Sequence, residues 1–170
     1  MNEVLNNIFK RRSIRKFREQ EVSNELIDEL LKSAMAAPSA CNKKPWFFYA
    51  INNQEMMKKV RKFSRYTNYN APAAIVVCGD TNNSLSKKEN DFWIQDCSAA
   101  IENILLAATS LDLGTVWCGL YPMDATVKNV RLALDVPSSL IPLGVILLGY
   151  PNEVKESRTQ YDENCIKWIK

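Results

Sequence analysis

The chain has 170 residues, of which 46% are hydrophobic and 24% are charged, and its formal net charge is +3. This composition is typical of a folded globular protein and excludes a disordered chain, and the length suits one domain over residues 1–170. The sequence contains no histidine, which excludes Ser-His-Asp and Cys-His catalysis and metal sites with histidine ligands.

The first half of the chain predicts three helices and two strands. In order, these are a helix over residues 3–10, a helix capped by Ser23 and limited by Pro38, a strand over Trp46–Ile51, a helix over residues 54–63 and a strand over residues 73–78. This strand ends at Gly79 and Asp80, and the polar residues 81–86 predict a loop.

The second half begins with the longest regular segment, a helix over residues 91–112. Its apolar residues cover a wide arc, so we expect burial on more than one side, and its acidic residues argue against a membrane span. Gly114 is predicted to end this helix as a C-terminal glycine. A strand over residues 115–119, a helix over residues 124–134 and a strand over residues 142–149 follow.

Strands that alternate with helices predict an α+β or α/β domain, with helices on both faces of a sheet of about four strands. After Gly149 the chain becomes polar, but Trp168 stands near its end. An apolar side chain in a polar tail indicates that the tail docks, either on its own domain or on a second copy of the chain.

The N-terminal residues lack the cationic and then apolar pattern of a secretory signal, so we expect a cytoplasmic protein. Five widely spaced cysteines include no Cys-x-x-Cys pair; they are Cys41, Cys78, Cys97, Cys118 and Cys165. This set favours reduced thiols over a disulfide framework or a zinc knuckle. Cys41 and Cys118 could act as redox thiols, but packing as small apolar residues is favoured.

The first segment that could carry chemistry is Arg-Arg-Ser-Ile-Arg-Lys-Phe, residues 11–17. Guanidinium groups and a hydroxyl suit a phosphate dianion, because charge-assisted hydrogen bonds are stronger than neutral ones. A solvated charged face and a nucleic-acid-binding arm are the alternatives, although the low net charge argues against the arm. The residues predicted to form a phosphate clamp are Arg11, Arg12, Ser13 and Arg15, with Lys155 and Arg158 of the tail as further candidates.

The second segment is Ala-Pro-Ser-Ala-Cys-Asn-Lys-Lys-Pro-Trp, residues 37–46. Pro38, Ser39, Ala40 and Asn42 follow a helix end, where backbone N–H and C=O groups are free to bind the polar edge of a planar ring. A simple helix-to-strand loop would explain the proline and the serine but not this order of residues.

On these motifs the chain resembles the nitroreductase family of FMN-dependent oxidoreductases. Residues 11–17 are similar to the family's Arg-(Arg/His)-Ser-x-(Arg/Lys)-x-Phe, and residues 37–46 to its Ala-Pro-Ser-x-x-Asn-x-Gln-Pro-Trp. Residues 107–114 resemble the end of the family's long central helix, and residues 117–119 and 149–151 are later matches. Lys44 departs from the family pattern, which usually has glutamine at this position.

The resemblance implies an α+β, three-layer nitroreductase-like fold, with a central, mostly antiparallel sheet of about four to five strands, flanking helices and a domain-exchanged C-terminal tail. It also implies a homodimer with FMN at the interface. The phosphate would contact the clamp residues named above, including Lys155 and Arg158. The ring would lie against Pro38, Ser39, Ala40 and Asn42 of the other subunit, and the backbone N–H groups of Gly119 and Leu120 would face the flavin N5 edge.

The implied activity is a two-step exchange in which NAD(P)H reduces FMN and the reduced flavin reduces a small-molecule electron acceptor, such as a nitroaromatic, a quinone or an activated alkene. The flavin would carry the chemistry, so no side chain is predicted to be catalytic, and no metal, nucleic acid or membrane partner is expected. The alternative is an FMN-binding sensor or flavin store with little turnover. The family's lid helix is not evident, and residues 81–88 are its candidate remnant.

Overall fold

The computed structural model describes residues 2–85 and 91–170. Within these ranges the chain forms helices and strands that alternate for most of its length. In chain order they are α1 (Glu3–Lys10), α2 (Asn24–Met35), β1 (Trp46–Ile51), α3 (Gln54–Val60), β2 (Ala73–Asp80), α4 (Phe92–Ser110), β3 (Gly114–Gly119), α5 (Asp124–Leu134) and β4 (Leu140–Gly149). Two short 3-10 helices lie at Ala40–Asn42 and Glu163–Cys165.

The four strands form one antiparallel sheet in the order β1-β2-β4-β3, which leaves β1 and β3 at its edges. Successive side chains of a strand point to opposite faces of the sheet. In β2, Ile75 therefore packs with residues of α2 and α4, and Val76 packs with residues of α3 and α5. The prediction of an α+β fold with helices on both faces of an antiparallel sheet is confirmed.

Helix ends follow local hydrogen bonding. The Ser23 Oγ accepts the N–H of Leu26 at 3.3 Å and caps α2, as predicted. The helix predicted over residues 54–63 ends instead at Val60. There the N–H groups of Lys62 and Phe63 donate to carbonyls three residues back, at 2.9 and 3.0 Å, and these bonds tighten the chain into a turn.

The end of α4 corrects the role predicted for Gly114. Asp112 has a left-handed φ of 55°, and the N–H of Leu113 donates to the carbonyl of Ala108 at 2.8 Å, which is the hydrogen bond of a Schellman motif. Gly114 is instead the first residue of β3, where a Cβ atom would lie 2.8 Å from the Ile14 side chain. The close approach of the N-terminal segment, rather than the helix end, requires this glycine.

α4 is buried on several sides, as its wide apolar arc predicts. It contacts α1, α2 and the sheet, and its buried residues include Ile101, Ile104 and Leu105. The C-terminal tail differs, because Trp168 and Ile169 are 81% and 91% exposed. Docking of Trp168 on its own domain is therefore not observed, and docking on a second copy stays a prediction.

Residues 81–85 form turns and a bend after β2, as predicted for this loop. Residues 86–88, which belong to the candidate lid remnant, lie outside the described residues.

Asp96 and Glu102 interrupt the apolar character of α4. In the part of the chain that the structure describes, no helix combines the length and the apolar character needed to cross a membrane.

Candidate functional site

The arginine-rich segment extends the sheet beyond its edge strand β3. The N–H of Ile14 donates to the carbonyl of Thr115 at 2.8 Å, and Phe17 forms an isolated bridge with Pro151 after β4. These contacts thus hold the middle and the C-terminal end of the segment on the sheet. This anchoring argues against the free basic arm that nucleic-acid binding would need.

The tail returns to the same segment and brings its basic residues with it. The Lys155 ammonium donates to the carbonyl of Ser13 at 2.6 Å, and the Arg12 guanidinium donates to the carbonyl of Glu156. The N–H of Arg158 donates to the carbonyl of Phe9 in α1 at 3.1 Å. The predicted phosphate-binding residues from the two ends of the chain therefore lie together. We call them the clamp cluster, which consists of Arg11, Arg12, Ser13, Arg15, Lys155 and Arg158.

The carboxylates of Glu102 and Glu153 contact the clamp cluster. The Arg11 Nε lies 3.6 Å from Glu102 Oε1 on α4, and burial raises the pKa of Glu102 although the charge of Arg11 opposes this. Glu153 Oε1 accepts the N–H of Arg15 at 2.6 Å, and this hydrogen bond is the main cause that lowers the pKa of Glu153. Ionised Glu153 is thus part of the cluster's immediate surroundings.

An open depression of about 200 Å³ lies beside the clamp cluster. Its walls include Arg12 and Lys155, together with Thr109 and Asp112 at the end of α4. The depression opens to solvent, so both basic side chains are accessible there, and the carboxylates of Asp112 and Glu153 also line it.

Within the second predicted segment, residues 38–44 form a loop with unusual backbone geometry. Cys41, Asn42 and Lys44 have left-handed φ angles of 49°, 54° and 52°. Such angles are uncommon for residues other than glycine, and they cluster at functional sites. The Ser39 Oγ accepts the N–H of Lys44 at 2.9 Å and helps to hold this conformation. We call residues 38–44 the left-handed loop.

Asp96 anchors the left-handed loop to α4. Its Oδ1 accepts the N–H of Ala40 at 2.9 Å, while its Oδ2 is buried without a hydrogen-bond partner in the described part of the chain. The residue is only 5% exposed. Burial of a carboxylate is costly unless it is hydrogen-bonded, so the bond from the Ala40 N–H to Oδ1 indicates a role in holding the loop. In the sequence Asp96 is one of several acidic residues within a long apolar helix, and no local pattern identifies Ala40 as its partner.

The end of β3 presents a backbone N–H to the open edge of the sheet. Backbone groups of successive strand residues point alternately to the two neighbouring sides. Since the carbonyl of Thr115 faces the N-terminal segment, the backbone groups of Gly119 face the same edge. No atom outside its chain neighbours lies within 4 Å of the position that a Cβ atom of Gly119 would take. A planar group can therefore approach this backbone closely.

The N–H predicted at Leu120 is not available for a ligand. It donates to the carbonyl of Leu143 at 3.0 Å, and the Leu120 side chain is fully buried. Backbone direction alternates between Gly119 and Leu120, so the Leu120 N–H points towards Leu143 in the neighbouring strand β4 and away from the open edge. The role predicted for this N–H is wrong, whereas Gly119 stays a candidate.

α4 contacts both candidate segments. Asp96 binds the left-handed loop at Ala40, and Glu102 lies against Arg11. Six residues of an α-helix rise about 9 Å and rotate about 240° around the axis. One chain therefore presents the two segments on different sides of α4.

All five cysteines are unpaired, as predicted. Cys118 is buried in β3, where burial raises the pKa of its thiol to about 11. Its Sγ lies 2.9 Å from the carbonyl oxygen of Tyr66. Packing therefore accounts for Cys118, whereas Cys41 is an exposed thiol in the left-handed loop.

Several known proteins are similar to this chain in sequence and in fold. A model of the nitroreductase family matches residues 8–68 and 61–150. A Methanothermobacter thermautotrophicus protein named "Putative NADH dehydrogenase/NAD(P)H nitroreductase" is 44% identical, over 98% of this chain and 88% of its own. A crystal structure of a Parabacteroides distasonis protein of the same name is 35% identical, with a TM-score of 0.91 over 99% of this chain and 98% of its own. The crystal structure of a nitroreductase with bound FMN from Desulfitobacterium hafniense is 25% identical, with a TM-score of 0.79 over 100% of both chains.

Proposed function

The chain belongs to the nitroreductase family, and on this premise we propose that it is an FMN-dependent NAD(P)H oxidoreductase. The name of the Methanothermobacter relative and the FMN in the Desulfitobacterium structure support this proposal. When bound, FMN supplies hydride chemistry between a nicotinamide cofactor and an acceptor. The chain itself must provide a phosphate site, a ring site and open access to the ring.

The clamp cluster fits the phosphate of FMN. Arg12 and Arg15 offer guanidinium groups, and Ser13 offers a hydroxyl beside them, with Arg11 and Arg158 close in the fold. Guanidinium and hydroxyl donors bind a phosphate dianion through charge-assisted hydrogen bonds. Lys155 donates a hydrogen bond to the Ser13 carbonyl, so it adds positive charge to the site and helps to hold Ser13 in place.

The left-handed loop and Gly119 fit the ring. Pro38, Ser39, Ala40 and Asn42 supply small side chains and an amide, and Asp96 holds their backbone. The outward N–H of Gly119 would donate to the N5 edge, where a hydrogen bond would stabilise the charge that develops during reduction. These residues bind and orient the flavin, and none of them needs to transfer a proton.

The observation that carries the proposal is the common edge of β3. Ser13 bridges Thr115 at the start of this strand, and Gly119 lies at its end. Four residues of strand span about 13 Å, which a ribityl phosphate and a tricyclic ring can together bridge. The proposed phosphate site and the proposed donor to the N5 edge would therefore lie along the same edge of the sheet.

A second copy of the chain completes the site in this proposal. The clamp cluster and the left-handed loop lie on different sides of α4 in one chain, so the loop of a partner subunit would cover the ring held on β3. The tail leaves Trp168 and Ile169 exposed, and a second copy would cover these apolar side chains by tail exchange. Dimerisation and cofactor binding would then be coupled.

The proposed acceptors are small oxidised molecules, namely nitroaromatics, quinones or activated alkenes. Flavin-free protein is titrated with FMN, reduced with NADH or NADPH, and then mixed with menadione or a nitroaromatic. We expect FMN binding, bleaching of the flavin absorbance by the nicotinamide cofactor, and its return when the acceptor is added. FMN binding without bleaching would favour a flavin store, and absence of FMN binding would refute the proposal.

Arg15 offers the cleanest test of the phosphate site, because its side chain is exposed. Arg15→Ala should weaken FMN binding about tenfold, the value of one charge-assisted hydrogen bond. Binding of riboflavin, which has no phosphate, should not change. The control is Lys128→Ala, which removes an exposed positive charge from α5. Equal loss of both flavins, or no loss of FMN, would contradict the clamp.

A further inference from the structure

Glu153 contacts two members of the clamp cluster, Arg15 and Lys155, and also the neighbouring Lys16. Its Oε1 accepts the N–H of Arg15 at 2.6 Å and the N–H of Lys16 at 3.3 Å. The same oxygen lies 3.4 Å from the Lys155 Nζ, which in turn donates to the Ser13 carbonyl at 2.6 Å. One carboxylate thus connects the backbone on both sides of Ile14.

This arrangement rests on the proposed function, and from it we propose that Glu153 is a positioning residue for the FMN phosphate site. Glu153 fixes the backbone of Arg15 and Lys16 directly, and it fixes Ser13 through Lys155. It does not itself touch the phosphate. Its effect is to hold the Ser13 hydroxyl and the Arg15 guanidinium in the geometry that binds the dianion.

The contacts of Glu153 are partly protected from water, which strengthens its hydrogen bonds and its ion pair with Lys155. The side chains of Glu153 and Lys155 are only 19% and 24% exposed. Without the carboxylate, two neighbouring backbone N–H groups lose their acceptor and the Lys155 ammonium loses its counter-charge. A preformed site binds its ligand more tightly, because the ordering cost is met during folding.

A carboxylate on two successive N–H groups also admits the opposite interpretation. Successive backbone N–H groups bind anions, so Glu153 could instead occupy the phosphate position and compete with FMN. The Lys155 bridge favours positioning, because it ties Glu153 to the carbonyl of Ser13, an acceptor that cannot bind phosphate. The two roles predict changes of opposite sign when the carboxylate is removed.

The ionisation of Glu153 agrees with a permanent structural contact. The hydrogen bond from the Arg15 N–H is the main cause that lowers the pKa of Glu153, and the nearby Lys155 also lowers it. The carboxylate therefore stays charged at neutral pH, and the bridge to Lys155 persists there.

The experiment compares FMN with riboflavin in three variants of the full chain. Glu153→Ala should lower FMN affinity about tenfold and change riboflavin affinity less than about twofold, since riboflavin has no phosphate to position. Glu153→Gln keeps an oxygen acceptor without the charge and should show a smaller loss. Glu156→Ala, which removes an exposed carboxylate from the same segment but keeps its backbone carbonyl, should bind both flavins as the unmodified chain does.

Hydrogen exchange on flavin-free protein gives a second readout. Exchange at the amides of Arg15 and Lys16 should be faster in Glu153→Ala than in Glu156→Ala, while the amides of β2 and β4 should not change. This readout requires neither FMN nor activity.

Results other than the expected ones would overturn either the role of Glu153 or the proposed function. Tighter FMN binding by Glu153→Ala would show competition rather than positioning. If the unmodified chain binds FMN and Glu153→Ala leaves the ratio of FMN to riboflavin affinity unchanged, only the role of Glu153 is overturned. Faster hydrogen exchange throughout the sheet of Glu153→Ala would overturn the same role, because the effect would not be local. An unmodified chain that binds neither flavin would overturn the proposed function and, with it, this inference.

Discussion

The Asp96 carboxylate binds the backbone N–H of Ala40 at 2.9 Å and so joins the left-handed loop to α4. The loop contains three residues with left-handed φ angles, and each such angle is unfavourable without support from the surrounding structure. Asp96 is the buried side chain that supplies this support.

Replacement of Asp96 should therefore affect the ring half of the site. Asp96→Ala removes the acceptor for Ala40 and should lower the free energy of unfolding by about 1 kcal/mol. It should also lower the affinity for FMN and for riboflavin equally, because the two flavins have the same ring. Chemical denaturation and flavin titration measure these effects.

Asp96→Asn separates the hydrogen bond from the charge. Its side-chain oxygen can still accept from Ala40, and the buried unpaired oxygen is replaced by an uncharged group. We expect flavin binding close to that of the unmodified chain. Asp28→Ala, at an exposed ion pair on α2, is the control and should leave both measurements unchanged. If Asp96→Ala binds flavins normally, Asp96 does not hold the loop.

Gly119 and Gly144 lie opposite each other in the β3–β4 register but should respond in opposite ways to alanine. A Cβ atom at Gly119 meets nothing within 4 Å, whereas one at Gly144 collides with the Trp117 indole. Gly119→Ala should leave the free energy of unfolding within about 0.5 kcal/mol of the original value and weaken both flavins. Gly144→Ala should destabilise the fold. Normal flavin binding by Gly119→Ala would exclude close approach of the ring to this backbone.

The cysteines should differ in reactivity with thiol reagents. Burial raises the pKa of Cys118 to about 11 and that of Cys78 and Cys97 to about 12, so below pH 9 these thiols stay protonated and shielded. Cys41 and Cys165 are exposed and should react. FMN should protect Cys41 from alkylation, as mass spectrometry of labelled peptides can measure. Equal labelling of Cys41 with and without FMN would place the ring away from the left-handed loop.

Trp168 should contribute to dimer formation. It is 81% exposed in the single chain, so its removal costs little within one subunit. If a second copy covers it, Trp168→Ala should shift the protein from dimer towards monomer and lower its flavin content. Leu132→Ala, at a 76% exposed position on α5, is the matched control. Light scattering after size-exclusion chromatography gives the mass, and a dimer unchanged by Trp168→Ala would contradict tail exchange at this residue.

Periodic patterns in the sequence were sufficient for most of the fold. The aromatic strand Trp46–Ile51 and the helix Asp124–Leu134 begin and end where the pattern places them, because strand alternation, helix spacing and caps are local. Gly114 shows the limit of such reasoning. Its position after a helix suggests a cap, but the Ile14 side chain, a hundred residues away, is what requires a glycine there.

The available chemistry can be identified from the residue types: guanidinium groups and a hydroxyl in residues 11–17, small residues in residues 38–42 and no histidine. Which of these groups remain free for a ligand depends on the folded arrangement. Leu120 donates its N–H to Leu143, whereas Gly119 faces the open edge. Asp96 and Glu153 became recognisable only when folding brought their carboxylates against backbone N–H groups far away in the chain. A residue's type fixes what it can bind, but long-range packing determines which partner it meets.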